Sequence, residues 1–141
     1  MTRHIERQIL HLKELILHFG TMVEESISHS NIALFKQDLS LATKVIANDA
    51  EIDRMEVELE EECLKVLALY QPVAADLRFV VAVLKINNDL ERIGDLTSNI
   101  AKTVSQLAIT GPFELPQEIS VMAKQAEEMV KKSLDAVVTA D

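Results

Sequence analysis

Apolar side chains recur along the chain at alternating spacings of three and four residues, which is the period of one face of an α-helix. A first run covers about residues 2–35, a second covers 38–70, and a third covers 73–108. A shorter apolar stripe follows within residues 117–141. The first run has the regular seam of a helix bundle, with apolar side chains at Ile5, Ile9, Leu12, Ile16, Phe19 and Val23. The pattern therefore predicts three long helices and a shorter fourth one.

The first three runs are separated by two short breaks. Asp38 stands at the first break, where its carboxylate is suited to cap the N-terminus of the second helix. Gln71 and Pro72 form the second break, because proline cannot continue a helix and restricts the residue before it. Connections this short join antiparallel neighbours. The sequence therefore predicts an all-α fold with an antiparallel three-helix bundle over residues 1–108.

The remainder of the chain begins with a linker at residues 109–116, which contains one glycine and two prolines. An additional amphipathic helix is expected over residues 117–141. Its segment MVKKSL echoes the segment MVEESI of the first helix, at an offset close to one bundle plus its linker. We interpret it as the first helix of a second, incomplete repeat. Its apolar face should pack against another copy, so we expect a homo-oligomer.

A second, wholly polar stripe runs along the third helix beside the apolar one, and it consists of Asn88, Glu91, Asp95 and Asn99. Glu91 and Asp95 are four residues apart, so their carboxylates leave the same face about one turn apart. On the second helix, Asp49 and Asp53 form another such pair, and Glu56 lies on the apolar stripe. Antiparallel packing puts the two acid pairs at a similar height, where they could converge.

Composition narrows the choice of partners. The net charge of −9 disfavours nucleic acid, because its phosphates would be repelled. The single cysteine, Cys63, excludes an internal disulfide and a thiolate metal cluster. No uncharged run approaches the roughly 20 residues that cross a membrane, and the N-terminus has no signal pattern. We therefore expect no nucleic-acid partner, no membrane insertion and a cytoplasmic location.

The paired carboxylates suit hard or borderline cations, since Mg²⁺, Ca²⁺, Mn²⁺ and iron accept oxygen ligands from Asp and Glu. A ferritin-like di-iron centre would also need Glu-x-x-His pairs, which the sequence lacks. We find no phosphate-binding glycine loop and no nucleophile with an adjacent base, and we predict no catalytic residues. The residues alone leave two interpretations open: a metal site, or a solvated or salt-bridged helix face.

Three stretches together resemble the PhoU family, the phosphate-signalling proteins of bacteria. They are NDAEIDRME at residues 48–56, QPVAADLR at 71–78, and LERIGD at 90–95 followed by Asn99 and Ile100. The resemblance extends from the first helix to about residue 107. It implies three-helix bundles, a cytoplasmic location, and a regulator of phosphate uptake and phosphate-starvation signalling rather than an enzyme. The implied partners are the Pst phosphate ABC transporter and its sensor histidine kinase.

The resemblance also implies a metal site, because some family members carry multinuclear metal clusters on acid-x-x-x-Asp motifs. The expected metal is iron, Mn, Mg or Zn. The ligands carried over to this sequence are Asp49, Asp53, Glu91 and Asp95, with Glu56 and Asn99 as additional candidates. A full member has two repeats, whereas only one helix of the second is present here. The alternatives are a structural helical adaptor, whose acidic faces contact a basic partner without metal, and a metal-dependent hydrolase.

Overall fold

The computed structural model describes the backbone of residues 2–139 and the side chains of residues 4–137. It contains four α-helices, named in chain order: α1 (Thr2–Lys36), α2 (Leu39–Tyr70), α3 (Ala74–Ile109) and α4 (Gln117–Thr139). Helices α1, α2 and α3 pack on one another, and within the described residues α4 packs closely on α1 alone. The predicted all-α three-helix bundle with an additional helix is confirmed. Of the predicted segments, residues 1, 140 and 141 lie outside the described part.

The α1–α2 turn is closed as the sequence predicts. Asp38 has an extended backbone conformation, and its side chain accepts a hydrogen bond from the backbone N–H of Leu41 at 3.1 Å. This bond satisfies one of the N–H groups that a helix leaves free at its first turn. The residue before it, Gln37, adopts a left-handed conformation with φ of 54°. The chain therefore reverses direction within two residues, and α2 runs antiparallel to α1.

The α2–α3 turn requires two left-handed residues that are not glycine. Gln71 ends α2 at φ of 45°, and Ala74 begins α3 at φ of 51°. Pro72 lies buried between them. A left-handed conformation costs an ordinary L-residue about 1–2 kcal/mol, because Cβ approaches the following carbonyl oxygen. The backbone of this turn is therefore strained, and the packing of the two long helices compensates for the cost.

The core of the bundle is filled mainly by aliphatic side chains, and its largest fully buried members include Phe19, Leu12, Ile16, Ile52, Leu59, Val23, Val66, Val80, Val83 and Val104. A polar contact lies within it, where the hydroxyl groups of Ser26 in α1 and Thr97 in α3 are 2.7 Å apart and share a hydrogen bond. Two buried hydroxyl groups satisfy each other only if their helices hold them at hydrogen-bond distance. The contact therefore helps to set the position of α1 along α3.

Helix α4 is attached to the bundle by close contact at Gly20. A glycine inside a helix usually weakens it by about 1 kcal/mol relative to alanine. Here a Cβ at Gly20 would lie 2.4 Å from Cδ2 of Leu134, so the bare backbone is what allows Leu134 to reach the core. The sequence pattern indicates only that Gly20 weakens α1. The tertiary structure shows that Gly20 also makes room for α4 to pack on α1.

Two side-chain amides also hold the segment around α4. Gln37 forms a two-point contact with Phe113 in the linker, donating to its carbonyl oxygen at 2.5 Å and accepting from its N–H at 3.4 Å. Asn31 of α1 donates to the Glu127 carboxylate of α4 at 2.7 Å. These contacts set the path of the linker and the position of α4 along α1.

Replacing Ala74 by glycine should relieve the strain in the α2–α3 turn. We expect Ala74→Gly to raise the unfolding free energy by about 0.5 kcal/mol, since removing a penalty of about 1–2 kcal/mol outweighs the entropy cost of glycine. The matched control is Ala75→Gly, one residue into the ordinary helix, which should lower stability by about 1 kcal/mol. Urea unfolding of both variants measures the difference. Equal destabilisation of the two would contradict the strain assigned to Ala74.

Candidate metal centre

The acidic strip, which we define as Asp49, Asp53 and Glu56 of α2 with Glu91 and Asp95 of α3, consists of carboxylates that lie near one another across these two helices. The helices come unusually close at this level. A Cβ at Gly94 would lie 2.8 Å from Cγ2 of Ile52, so only glycine admits that side chain without a shift. Ile52 precedes Asp53, and Gly94 precedes Asp95. In both helices the residue that makes this close contact is therefore the direct neighbour of an aspartate of the strip.

Three aspartates from the two helices converge on one point. One carboxylate oxygen from each of Asp49, Asp53 and Asp95 can be chosen so that all three lie within 4.8 Å of one another. Metal–oxygen distances of about 2.0–2.6 Å place oxygen ligands on opposite sides of one ion roughly 4–5 Å apart. The spacing therefore fits a single cation held by all three groups. The structure brings together these three of the four predicted principal ligands.

The fourth predicted ligand, Glu91, adjoins the group by a side-chain hydrogen bond to Asp95. Two carboxylates can share such a bond only when one of them is protonated. Burial, the hydrogen bond to Asp95, and the charges of Asp95, Asp53 and Glu56 raise the pKa of Glu91 from 4.5 to about 7. In the metal-free protein Glu91 therefore carries its proton through much of the range below neutrality.

The same crowding affects the α2 side of the strip. Burial raises the pKa of Asp49, and the nearby charges of Asp53 and Asp95 raise it further, while Lys102 acts in the opposite direction. Burial also raises the pKa of Glu56, together with the charges of Glu60 and Asp53. Nearby like charges and partial desolvation both disfavour the ionised form. A cation among these carboxyl groups would stabilise the ionised form of each of them.

An unsatisfied oxygen supports the same conclusion. Oδ1 of Asp49 is buried and has no hydrogen-bond partner within the described structure. A buried carboxylate oxygen without a partner is costly, and a metal ion supplies the missing interaction. All three converging groups are carboxylates, which is the donor set of iron, Mn²⁺ and Mg²⁺ rather than of a structural zinc site. These residues fit a hard or borderline cation.

The arginines nearest in sequence do not neutralise the strip. Arg54 forms its ion pair with Glu51, one turn away on the exposed face of α2. Arg92 is exposed. Among the described side chains, the ion pairs within 4.0 Å leave the acids of the strip without a cationic partner. The salt-bridged interpretation of the strip therefore has no ion pair within 4.0 Å among the described side chains to support it, and Lys102 acts on Asp49 only from a greater distance.

The two additional candidates differ in position. The Glu56 side chain is half-buried and close enough to act on Glu91, so it lies at one end of the strip. Asn99 is exposed one turn beyond Asp95, and its backbone carbonyl oxygen accepts a hydrogen bond from Thr103 at 2.9 Å. No described contact joins the Asn99 side chain to the three aspartates. Its role as a ligand stays a prediction.

Sequence reasoning missed one residue that supports the strip. Asn87 is 1% exposed, and its Nδ2 donates to the backbone carbonyl oxygen of Glu56 at 2.9 Å. This hydrogen bond ties α3 to α2 at the end of the strip. The apolar stripe contains the signal, since Asn87 lies at helical spacing between Val83 and Leu90, both of which are buried. An isolated asparagine on such a stripe indicates a buried polar contact.

The protein is therefore an all-α bundle of long antiparallel helices with a cluster of carboxylates between two of them. The sequence profile of the PhoU domain matches residues 16–104, which include the whole strip. The chain belongs to the PhoU family. The predicted resemblance is thereby confirmed.

Named relatives extend the match to nearly the whole chain. The phosphate-specific transport system accessory protein PhoU homolog of Aquifex aeolicus is 37% identical over 135 residues, covering 96% of this chain and 61% of the relative. The phosphate-specific transport system accessory protein PhoU of Serratia marcescens is 31% identical over 145 aligned residues, covering 100% of this chain and 60% of the relative. The chain therefore spans about three fifths of the length of these relatives.

Two solved structures share the fold. The crystal structure of PhoU from Pseudomonas aeruginosa aligns with a TM-score of 0.90 at 34% identity, covering 94% of this chain and 64% of that one. The phosphate transport system regulatory protein PhoU from Streptococcus pneumoniae aligns with a TM-score of 0.86 at 31% identity, covering 94% of this chain and 62% of that one. In each case the aligned part includes most of this chain, while more than a third of the solved chain has no counterpart here.

The raised pKa of Glu91 predicts how the stability of the metal-free protein depends on pH. Its pKa is about 7 in the folded state against 4.5 ordinarily, so folding favours the protonated form. The stabilisation is complete below about pH 4.5 and is lost as the pH rises through about 7. With chelator present, the unfolding free energy should therefore fall across this window. Glu91→Gln, which keeps a neutral donor for Asp95, should flatten the decline.

The control for this experiment is Glu58→Gln, which removes one carboxylate from the exposed face of α2 outside the strip. It should leave the pH dependence between pH 4.5 and 7.5 like that of the unmodified protein. Urea unfolding at several pH values provides the measurement. A decline that persists unchanged in Glu91→Gln would show that the pKa of Glu91 does not cause it.

Proposed function

We propose that this protein is an accessory regulator of phosphate uptake that binds a metal ion at the acidic strip. One observation carries the proposal: carboxylates from α2 and α3 converge within 4.8 Å. The buried, unpartnered oxygen of Asp49 adds support. The family and the names of its members, which are accessory and regulatory proteins of phosphate transport, supply the process.

In this proposal Asp49, Asp53 and Asp95 are the ligands, and Glu91 releases its proton to complete the oxygen set. The ion supplies positive charge and a structural link rather than a catalytic centre. Since the ligands belong to both α2 and α3, binding joins the two helices at the level of Gly94. The donor set favours iron, Mn or Mg over Zn. Without the ion, the carboxylates of the strip would again repel one another, and the bundle would be less stable.

The same proposal covers partners and location. We infer that the protein works in the cytoplasm with the phosphate ABC transporter and the sensor histidine kinase of that system, as a regulator without catalytic residues. We also infer that it self-associates, because α4 leaves Met122 62% and Met129 68% exposed. No helix within the described residues is long and apolar enough to cross a membrane. In the alternative, the protein is a structural helical adaptor whose acidic faces contact a basic partner without metal.

Replacing Asp95 by asparagine should separate metal binding from fold stability. Asp95→Asn keeps the shape of the side chain but removes one charge and weakens one oxygen ligand. With metal at about 100 times its Kd, the unfolding free energy of the unmodified protein should rise by about 2.7 kcal/mol. The variant should lose most of that gain. In chelator it should be as stable as the unmodified protein, or slightly more, because repulsion within the strip falls.

The matched control is Asp89→Asn, the same substitution at an exposed position of α3 outside the strip. Its gain in stability with Mn²⁺ or Fe²⁺ should equal that of the unmodified protein. Thermal melts with chelator and with each metal, together with elemental analysis of protein purified without chelator, test the set. A melting temperature that ignores added metal would reject the metal and favour the adaptor.

The regulatory role requires a separate experiment in the host. Deleting the gene should raise expression of phosphate-starvation genes in phosphate-rich medium, because the proposed regulator restrains that response. Complementation with the Asp89→Asn gene should restore repression, and complementation with the Asp95→Asn gene should restore it poorly if metal is required. Unchanged expression in the deletion strain would reject the regulatory assignment while leaving metal binding unaffected.

A further inference from the structure

A second polar pocket, of about 300 Å³, lies between α2 and α3 and does not involve α4. The side chains that line it come from both helices: Glu60 and Leu64 of α2 with Leu84, Asn87 and Asn88 of α3. We call it the α2–α3 pocket. It adjoins the acidic strip, since Glu60 comes one helical turn after Glu56 and Asn88 comes three residues before Glu91. The pocket and the strip share no residue.

Asn87, which lines the pocket, carries an acceptor that the rest of the chain leaves unused. Its side chain is 1% exposed, and its Nδ2 donates to the Glu56 carbonyl oxygen at 2.9 Å. This bond fixes the orientation of the amide group, because a carbonyl oxygen can only accept. Oδ1 of Asn87 is therefore the free atom, and it is buried without a hydrogen-bond partner within the described structure. Such an oxygen costs free energy until a donor reaches it.

The other walls of the pocket combine a negative charge with apolar surface. Glu60 is exposed and forms no ion pair within 4.0 Å among the described side chains. Leu64 is 51% exposed and Leu84 is half-buried. The lysines next to these leucines, Lys65 and Lys85, are exposed and are not part of the lining. A ligand that fits must therefore bring a positive charge with several N–H donors and an apolar part beside it.

We propose that the α2–α3 pocket binds the side chain of an arginine in a partner protein. A guanidinium group has five N–H donors in one plane, so it can pair with the Glu60 carboxylate and also donate to Oδ1 of Asn87. Its methylene groups then lie against Leu64 and Leu84. The ammonium group of lysine is more strongly hydrated, and a metal ion makes no use of two leucines. Arginine therefore suits the pocket better than other cations.

The surface beside the pocket indicates that this arginine belongs to a polypeptide. Val81 and Leu77 continue the line of Leu84 along α3 at helical spacing, and they are 38% and 40% exposed. Seven residues of helix span about 10.5 Å, which roughly three residues of an extended chain can cover. Apolar residues that flank the arginine would cover this line. The partner chemistry adds to the regulatory function proposed above, which requires contact with other proteins, and it does not depend on the metal.

An NMR titration tests the pocket directly. The probe is the peptide acetyl-Leu-Leu-Arg-Leu-Leu-amide, added to the isotope-labelled chain in chelator. We expect saturable shifts of the side-chain amide signals of Asn87 and Asn88, with a dissociation constant of about 1 mM or below. The same peptide with citrulline in place of arginine keeps the shape but has no charge, and it should bind about tenfold more weakly. No saturable shift at these signals, or equal binding of the citrulline peptide, would overturn the proposal.

The same spectra separate the pocket from the acidic strip, which also attracts cations in the absence of metal. Asn99 is exposed one turn beyond Asp95, so its side-chain amide signal reports on that end of the strip. This signal should stay in place while the signals of Asn87 and Asn88 shift. The result does not depend on whether the strip binds metal, because the titration is done in chelator. A peptide that shifts Asn99 and leaves the other two unchanged would bind the strip, and the proposal would be wrong.

Two neighbouring glutamates provide a matched pair of variants. Glu60→Gln removes the charge in the pocket and should weaken binding of the arginine peptide by about tenfold. Glu61→Gln removes an equal charge one residue away, at an exposed position outside the pocket, and should bind like the unmodified protein. Both positions are exposed, and circular dichroism confirms that both variants remain helical. Equal weakening by the two would indicate a general attraction to the acidic surface and would contradict a specific pocket.

A change in the flanking residues tests whether the ligand is a protein segment. The peptide acetyl-Gly-Gly-Arg-Gly-Gly-amide leaves Val81 and Leu77 uncovered, so it should bind about tenfold more weakly than the leucine peptide. Val81→Ser should remove most of this difference. The matched control is Val121→Ser, at a 50% exposed position of α4, which should preserve it. Equal binding of the two peptides, or an equal effect of the two variants, would reject the docking of a partner segment along α3.

Discussion

The close approach of α2 and α3 at Gly94 is the contact on which the candidate site depends. Ile52 occupies the space that a Cβ would fill, and this brings the backbones of the two helices together next to two aspartates of the strip. A larger residue at Gly94 would separate the helices and with them Asp53 and Asp95. Because both acids directly follow the contacting residues, the packing that builds the core also sets the distance between the carboxylates.

This arrangement has an electrostatic consequence. Packing forces together acids that repel one another, and burial adds a desolvation cost that raises the pKa of Asp49 and Glu91. The bundle tolerates the strip because the surrounding hydrophobic core and the Asn87 hydrogen bond to the Glu56 carbonyl oxygen hold the helices in place. Proton binding at Glu91, whose pKa is about 7, relieves part of the repulsion within the strip.

Helix α4 is held to the bundle by different contacts from those that hold the other three helices together. It is seated by a missing side chain at Gly20, by Leu134 reaching the core, and by the two-point contact between Gln37 and Phe113. Only one side of α4 is used in these contacts. The long relatives of this chain extend well beyond the part that aligns with it. Within the described residues, the apolar face of α4 that carries Met122 and Met129 stays exposed.

The sequence by itself determined the helices, their antiparallel order and the family, because apolar spacing, the Asp38 cap and the proline break are local signals that no other part of the chain overrides. It also identified the acid pairs, since residues four apart must share a helix face. Only the tertiary structure decided which acids meet. Asp49, Asp53 and Asp95 converge, while Asn99 stands apart. The contacts of Asn87, Gly94 and Gly20 are likewise visible only in the folded structure. Such distances depend on how closely two helices pack, and that closeness is a property of paired surfaces rather than of either helix alone.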